Sequence, residues 1–284
     1  MRRLWIDHSQ NDQKEWQTLI QQAGLTPGEV VDEVYGLFLA DHLIASGALA
    51  KNVIKYVAVD PNYQGESVFH RLVTVLTQAL YRQGYTKALM YTKPIHRKCF
   101  EALHFTVLAE TEQVCFLEKG TPSLFEYLAG IKKQETGDSI FGAIVMNANP
   151  FTLGHRYLIE QAIRQCDHLY VFVVSGDQSL FTTREHVQLV KEGTMDLQQV
   201  SICETSDYMV SMATFPSYFL QGDTKKVGAQ ATLDATLFLE QIAPCLNIQK
   251  RFVGEEPYSE TTARYNQMLK AVFKDQLSLV ECHG

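Results

Sequence analysis

The sequence predicts an α/β protein, an α+β domain followed by a doubly wound, Rossmann-like parallel sheet. Three observations carry this prediction. After residue 140, apolar runs of strand length alternate with amphipathic runs of helix length, the pattern of a parallel sheet wrapped by helices. Before residue 130, strands flank one central helix, which points to a mixed sheet. Between the halves, Gly120-Thr-Pro-Ser123 and Lys132-Lys133-Gln-Glu-Thr-Gly-Asp-Ser139 enclose Leu-Phe-Glu-Tyr-Leu in a polar stretch suited to a boundary. The expected domains are 1–130 and 140–284.

In the first half, Glu33–Leu39 and Lys55–Val59 read as strands, Ser67–Gln83 has helical spacing, and Ala88–Tyr91 and Val114–Leu117 resume strand character. In the second, strands at Phe141–Met146, Leu169–Val174, Val200–Cys203, Arg251–Val253 and Ser278–Cys282 are expected. Helices at Leu153–Cys166, Arg184–Gly193, Lys226–Ile242 and Ala263–Phe273 separate them.

Composition narrows the function classes. A 46% hydrophobic and 20% charged chain of 284 residues excludes disorder and fits two domains. The net charge of −7, with no basic cluster, excludes a nucleic-acid partner. The six cysteines show no CxxC pair and no His at ligand spacing, so no metal site is expected and the thiols read as reduced. No apolar run approaches the roughly 18 residues of a membrane span. Arg2, Arg3 and Asp7 interrupt any signal-peptide core. The expected location is the cytoplasm, with no membrane partner.

One stretch concentrates chemistry: Gly142-Ala-Ile-Val-Met146-Asn147-Ala-Asn149-Pro150-Phe151-Thr152-Leu-Gly154-His155-Arg156. A buried strand ends in an Asn-Pro-Phe turn, and Thr-x-Gly-His opens a helix on the strand's carboxyl side, where open parallel sheets bind ligands. The free N–H groups and positive dipole of a helix start favour phosphate. Gly154 permits close backbone approach, and His155 can aim its imidazole at the same group. An ordinary strand-turn-helix with incidental Gly and His is the bland alternative, weakened by the strand before and the amphipathic helix after.

This segment resembles the HxGH motif of the nucleotidyltransferase superfamily, with Thr152 at the first His position. Ile144–Gln161, Ser211-Met-Ala-Thr-Phe-Pro-Ser-Tyr-Phe219 and Arg251-Phe-Val-Gly-Glu-Glu-Pro257 followed by Tyr265-Asn266 together resemble the citrate lyase ligases, over nearly the whole chain. That resemblance implies an AMP-forming acid–thiol ligase. ATP and acetate would acetylate the thiol of a CoA-like prosthetic group on the acyl carrier subunit of citrate lyase, releasing AMP and pyrophosphate, with Mg²⁺ on the phosphates. It implies catalytic roles for His155 and Thr152, the latter offering a hydroxyl but no charge. It implies nucleotide contacts for Met146, Asn147, Asn149, Pro150, Phe151 and Gly154. Gly254 and Glu255 resemble the family's adenine-side Gly-x-Glu/Asp element, though a plain strand-ending turn fits them too. Arg184, after Ser179-Leu-Phe-Thr-Thr183, is a third catalytic candidate, aimed at phosphate or acetate; a solvated helix-start arginine is an equal reading. Thr214-Phe-Pro-Ser-Tyr218 is a place for acetate or a pantetheine arm, and its aromatic residues suit a core equally well. No carboxylate stands out as a metal ligand.

The superfamily's second phosphate motif, of ISSTxxR type, is expected after the last strand, and the chain stops at Gly284, so the second domain is expected to be truncated there. A near match, Tyr258-Ser259-Glu-Thr261-Thr262-Ala-Arg264, falls one strand early. In the first half, Tyr56-Val-Ala-Val-Asp60-Pro-Asn-Tyr-Gln64-Gly65-Glu-Ser67 and Lys98-Cys-Phe100-Glu-Ala-Leu-His104-Phe105 resemble the GNAT-type acetyltransferase core. Ser67 and Phe69 stand where its pyrophosphate loop has small residues, and His104 where a glycine precedes the closing Phe105. The domain is expected to be GNAT-like in fold with acetyl-CoA binding weakened or lost, recognising instead the carrier protein or its prosthetic group. The alternatives are a nucleotidyltransferase making a CoA- or NAD-type product, a GNAT-type acetyltransferase, and a protein that only binds.

Overall fold

Along the strand Val53–Val59, buried residues alternate with half-buried ones, the period of a strand with one face on a core. That strand is β4 of the first sheet, which contains β1 (Arg2–Leu4), β2 (Glu33–Leu39), β3 (His42–Ala50), β4, β5 (Lys87–Thr92), β6 (Thr106–Glu110) and β7 (Cys115–Gly120). Helices α1 (Gln10–Gln22), α2 (Glu66–Arg82) and α3 (Arg97–Glu101) accompany it. The computed structural model describes the chain except for 135–136, 175–182, 206–207, 210–214, 221–222, 255–259 and 283–284.

The order is β1-β2-β3-β4-β5-β7-β6. All neighbours are antiparallel except β4 and β5, which run parallel and pair at Val53–Leu89 and Ile54–Met90, at the start of β4 and the middle of β5. Beyond that point they part. A register shift between β3 and β4 coincides with Tyr56 at φ 53°, a bulge in β4. A mixed sheet opened at one parallel pair is the GNAT-like arrangement. Its core gathers Leu72, Leu76 and Leu80 of α2 against Ile44, Ile54, Met90 and Leu117 of the sheet.

The second sheet is wholly parallel. Its elements are α4 (Leu124–Ile131), β8 (Phe141–Met146), α5 (Leu153–Ile163), β9 (His168–Val173), α6 (Thr183–Gly193), β10 (Val200–Glu204), α7 (Asp223–Leu237), α8 (Ala243–Cys245), β11 (Ile248–Gly254), α9 (Glu260–Phe273) and β12 (Ser278–Cys282). Strand order is β10-β9-β8-β11-β12. The chain thus winds outward from β8 in one direction, then returns to lay β11 on its other side. On one face, Ile159 and Ala162 of α5 and Val187 and Val190 of α6 pack on Ile144, Val171 and Phe252. On the other, Phe172, Phe238 and Phe273 form an aromatic row with centroid spacings of 6.4 and 6.1 Å. The expected Rossmann-like, doubly wound class is what this topology is.

The expected helix Lys226–Ile242 differs in detail: it begins at Asp223, and its last turn, Phe238–Ile242, widens to π geometry before α8. The chain divides into two units, Met1–Ser123 with Pro216–Lys226, and Leu124–Phe215 with Val227–Gly284. A single cut between residues 130 and 140 does not describe that division. No described helix is long and apolar enough to cross a membrane.

Candidate functional site

In a doubly wound sheet the crevice lies at the carboxyl ends of the two strands from which the chain departs in opposite directions. Here those strands are β8 and β11. Met146 ends β8, its carbonyl accepting from the Val174 N–H at 2.9 Å and its side chain packed in the core. Asn147, Asn149 and Pro150 follow as exposed turn residues, with Ala148 buried between them at φ 44°. Gly254 ends β11, and a methyl added to it would meet Leu158 of α5 at 3.9 Å. The structure therefore brings Gly254 to the helix that carries the Thr-x-Gly-His motif.

Thr152 is the N-cap of α5, in extended conformation. Its hydroxyl accepts from the His155 N–H at 3.4 Å, and its own N–H donates to Nδ1 of His155 at 3.1 Å, closing a capping box. The hydroxyl also lies 2.8 Å from Nδ1. A ring nitrogen that accepts from an amide carries no proton, so the neutral imidazole holds its hydrogen on Nε2. His155 is thus set as an Nε2–H donor at a helix N-terminus. The ring of Phe151 lies nearly parallel to it, 5.9 Å between centroids and tilted 19°.

Arg156, beside the motif, is committed elsewhere. It donates to the Gly193 carbonyl at 2.7 Å, to Asp196 through both terminal nitrogens at 2.9 and 2.6 Å, and to Glu160 at 2.8 Å. The Asp196 carboxyl is held below its ordinary range by the Arg156 hydrogen bond. This clamp between α5 and the end of α6 had no sequence signal, because Asp196 lies 40 residues away. Arg184 is exposed at the start of α6. Glu255, Ser179–Phe181, Thr214, Tyr258 and Ser259 lie outside the described residues.

Arg251, in the third sequence block, is only 1% exposed. Its guanidinium lies 4.5 Å over Phe238 and donates to Tyr265 Oη at 2.8 Å and Asp234 at 3.2 Å. Burial pushes the Tyr265 phenol up. This cluster pins β11 to α7 and α9.

Within the first unit, the Ser217–Tyr218 stretch is core. Tyr218 stacks on Tyr56 with centroids 4.2 Å apart, and Glu29 accepts from the N–H groups of Ser217 and Tyr218 at 2.6 and 3.1 Å. Gly65 caps α2 without a side-chain bond, Phe69 meets Phe100 edge-on at 5.0 Å, and His104 takes the left-handed conformation at φ 62°. That φ is one a glycine adopts freely.

A parallel doubly wound sheet with a Thr-x-Gly-His helix start at its switch point defines a nucleotidyltransferase-like unit, here joined to a GNAT-like one. The family model described as Citrate lyase ligase C-terminal domain matches residues 141–283. The citrate (pro-3S)-lyase ligase of Klebsiella pneumoniae is 38% identical over 233 residues, covering 82% of this chain and 68% of that protein. The Haemophilus influenzae ligase is 37% identical over 255 residues, covering 89% and 76%. The chain belongs to the citrate lyase ligase family. Among solved structures, an N-acetyltransferase from Staphylococcus aureus Mu50 aligns at 18% identity over 42% of this chain and 95% of its own, TM-score 0.34. A pantoate-β-alanine ligase from Francisella tularensis aligns at 12% identity over 56% and 64%, TM-score 0.37. At those scores neither adds to the strand-order argument.

Proposed function

We propose that the chain activates acetate with ATP and passes the acetyl group to the thiol of the CoA-like prosthetic group on the acyl carrier subunit of citrate lyase, in the cytoplasm. The observation that carries this reading is the approach of Gly254, at the end of β11, to Leu158 of the helix that the Thr-x-Gly-His motif opens, at the switch point of the sheet, in a chain of this family. Acetate does not react with a thiol, so its carboxylate must first gain a leaving group. An acetate oxygen attacks the α-phosphorus, the bond to the bridging oxygen of the β-phosphate breaks, and pyrophosphate leaves. The thiolate then attacks the acetyl carbon of the adenylate, AMP leaves, and the thiol proton passes to solvent. Neither step needs a covalent nucleophile from the protein; both need alignment and charge stabilisation.

The residues fit a polyphosphate. Among the described residues, a methyl on Gly154 would meet Thr152 Oγ1 at 3.7 Å and nothing closer, so bare backbone is presented there. Leu153 and Gly154 place their N–H groups in a first turn, where the helix itself supplies no acceptor. The Nε2–H of His155 donates to phosphoryl oxygen as charge builds on it, while Thr152 and Phe151 hold the ring. Arg184 is assigned to phosphate or acetate, and Gly254 with Glu255 to the adenine side. Mg²⁺ on the phosphates would neutralise charge on the leaving pyrophosphate. The described residues hold no cluster of three or more His, Cys, Asp or Glu suited to a metal. For the GNAT-like unit the proposed role is recognition of the carrier or its prosthetic group; Phe69, packed against Phe100, supports weak or absent acetyl-CoA binding.

The test is incubation with ATP and acetate, with and without thiol-bearing carrier, following AMP and pyrophosphate. His155→Ala is expected to lower adenylate formation by about 10²- to 10⁴-fold with the circular dichroism spectrum unchanged. A fall below about threefold removes His155 from the machinery. Adenylylation of a phosphopantetheine-type substrate without AMP release would assign the chain to dinucleotide synthesis. Tight acetyl-CoA binding, lost in Gly65→Asp and indifferent to His155, would assign it to acetyl transfer.

A further inference from the structure

We infer that Gly193, at the far end of α6, is a positioning residue for His155, acting through the ring of Phe151. The inference rests on the reading of His155 above. Gly193 is the last residue of α6 and has no positive φ. Glycine is the poorest helix former after proline, so backbone conformation does not explain it. Space does. A methyl at Gly193 would stand 2.7 Å from Cδ1 of Phe151 and closer still to Cε1, well inside van der Waals contact.

The ring cannot yield freely. It stacks on the imidazole of His155, and it packs beside the core of the α5 face. Nor can α6 back away, because Arg156, the residue after His155, grips the Gly193 carbonyl and both oxygens of Asp196. The imidazole is thus held between two constraints: the Thr152 N–H on Nδ1 fixes its rotation, and the Phe151 ring, seated on Gly193, fixes its plane. A group 38 residues down the chain from His155 in number sets the direction of Nε2–H without touching substrate.

The experiment uses the full chain labelled with ¹⁵N at histidine, in wild type, Gly193→Ala, Phe151→Leu and the double variant. It records the His155 ring nitrogen shifts and the kcat and KM of AMP formation. Gly193→Ala is expected to lower kcat about tenfold or more through misalignment, with KM for ATP within about twofold, and to strip Nδ1 of its acceptor signature. In the Phe151→Leu background, where the shorter side chain clears the new methyl, Gly193→Ala is expected to add no further loss. Wild-type nitrogen shifts and kcat in Gly193→Ala would overturn the inference, as would equal losses in both backgrounds. Should Gly193→Ala not fold, Phe151→Leu decides: displaced His155 nitrogens with lowered kcat support the inference, and unchanged ones overturn it. If His155→Ala keeps full activity while Gly193→Ala still moves the His155 nitrogens, the functional reading fails and the positioning stands.

Discussion

The main-chain N–H of Thr152 donates to Nδ1 of His155 at 3.1 Å, and the Thr152 hydroxyl lies 2.8 Å from the same nitrogen. Of these two contacts only the second belongs to the side chain. Thr152→Ala therefore keeps the bond that sets the tautomer and loses the helix cap. The expected cost is about 1 kcal/mol of stability, with activity falling less than about tenfold, far less than for His155→Ala. Chemical denaturation beside initial rates of AMP release checks both numbers.

Among the described residues, the nearest neighbour of a methyl added to Gly154 is Thr152 Oγ1, at 3.7 Å. Gly154→Ala is expected to leave stability unchanged or raise it by up to about 1 kcal/mol, as alanine suits a helix better. ATP binding is expected to weaken about tenfold or more, because the methyl stands where phosphate meets bare backbone. Calorimetric titration with ATP, paired with thermal unfolding, separates the two effects; unchanged ATP affinity would remove Gly154 from the phosphate site.

Glu29 holds Ser217 and Tyr218 by their N–H groups and pairs with Lys55 at 3.0 Å. Removing the carboxylate in Glu29→Ala leaves these part-buried donors unmatched, at a cost of about 1–2 kcal/mol. Glu29→Gln, which keeps an acceptor but not the charge, is expected to cost less. Trypsin should cut after Lys225 or Lys226 faster in Glu29→Ala than in the wild type, and equal rates would show that Glu29 does not retain this segment.

The Arg2 guanidinium bonds to both oxygens of Asp12 at 2.7 and 3.0 Å, and the Trp5 N–H donates to Asp12 at 2.8 Å. The Arg2 hydrogen bond, with Trp5 adding, holds the Asp12 carboxyl below its ordinary value. A carboxylate depressed on folding stabilises the fold above its unfolded pKa, near 3.9, and that contribution fades as pH falls through the folded value. Asp12→Asn is expected to cost about 1–2 kcal/mol near pH 7, the gap to wild type closing below about pH 4. Urea unfolding across pH 3 to 7 measures it, and a constant gap would contradict the assignment.

How far the sequence carried depended on whether a signal was local. Phe141–Met146 and Ser278–Cys282 were legible to the residue, the first as an apolar run with clear stops, the second as a short Leu-Val-centred strand after the last helix. β3 was not. His42–Ala50 is rich in small residues and buried on both faces, so no alternation marks it. Gly47 there leaves room for Leu76, which an added methyl would meet at 2.5 Å, a contact made only once α2 lies on the sheet. α1 was missed for another reason: its polar surface outweighs the few apolar residues, Trp16, Leu19 and Ile20, that it buries.

The site divides along the same line. Thr152, Gly154 and His155 are legible because a helix start, its cap and its donors are written within four residues. The partners that orient them are not. Gly193 and Asp196 reach Phe151 and Arg156 across about 40 residues of chain, and a glycine at a helix end or an aspartate just beyond it carries no trace of its distant neighbour.

Spacing and residue type thus determined the alternation of strands and helices, the Thr-Leu-Gly-His helix start and the family blocks, all of which depend on neighbours in the chain. Tertiary packing alone decided that β11 lies beside β8 so that Gly254 meets α5, that Pro216–Lys226 joins the first unit, and that Gly193 supports the ring behind His155. The physical reason is the same in each case: strand order and side-chain contact arise from buried faces finding one another in space, and one-dimensional periodicity says which face is buried but not against what.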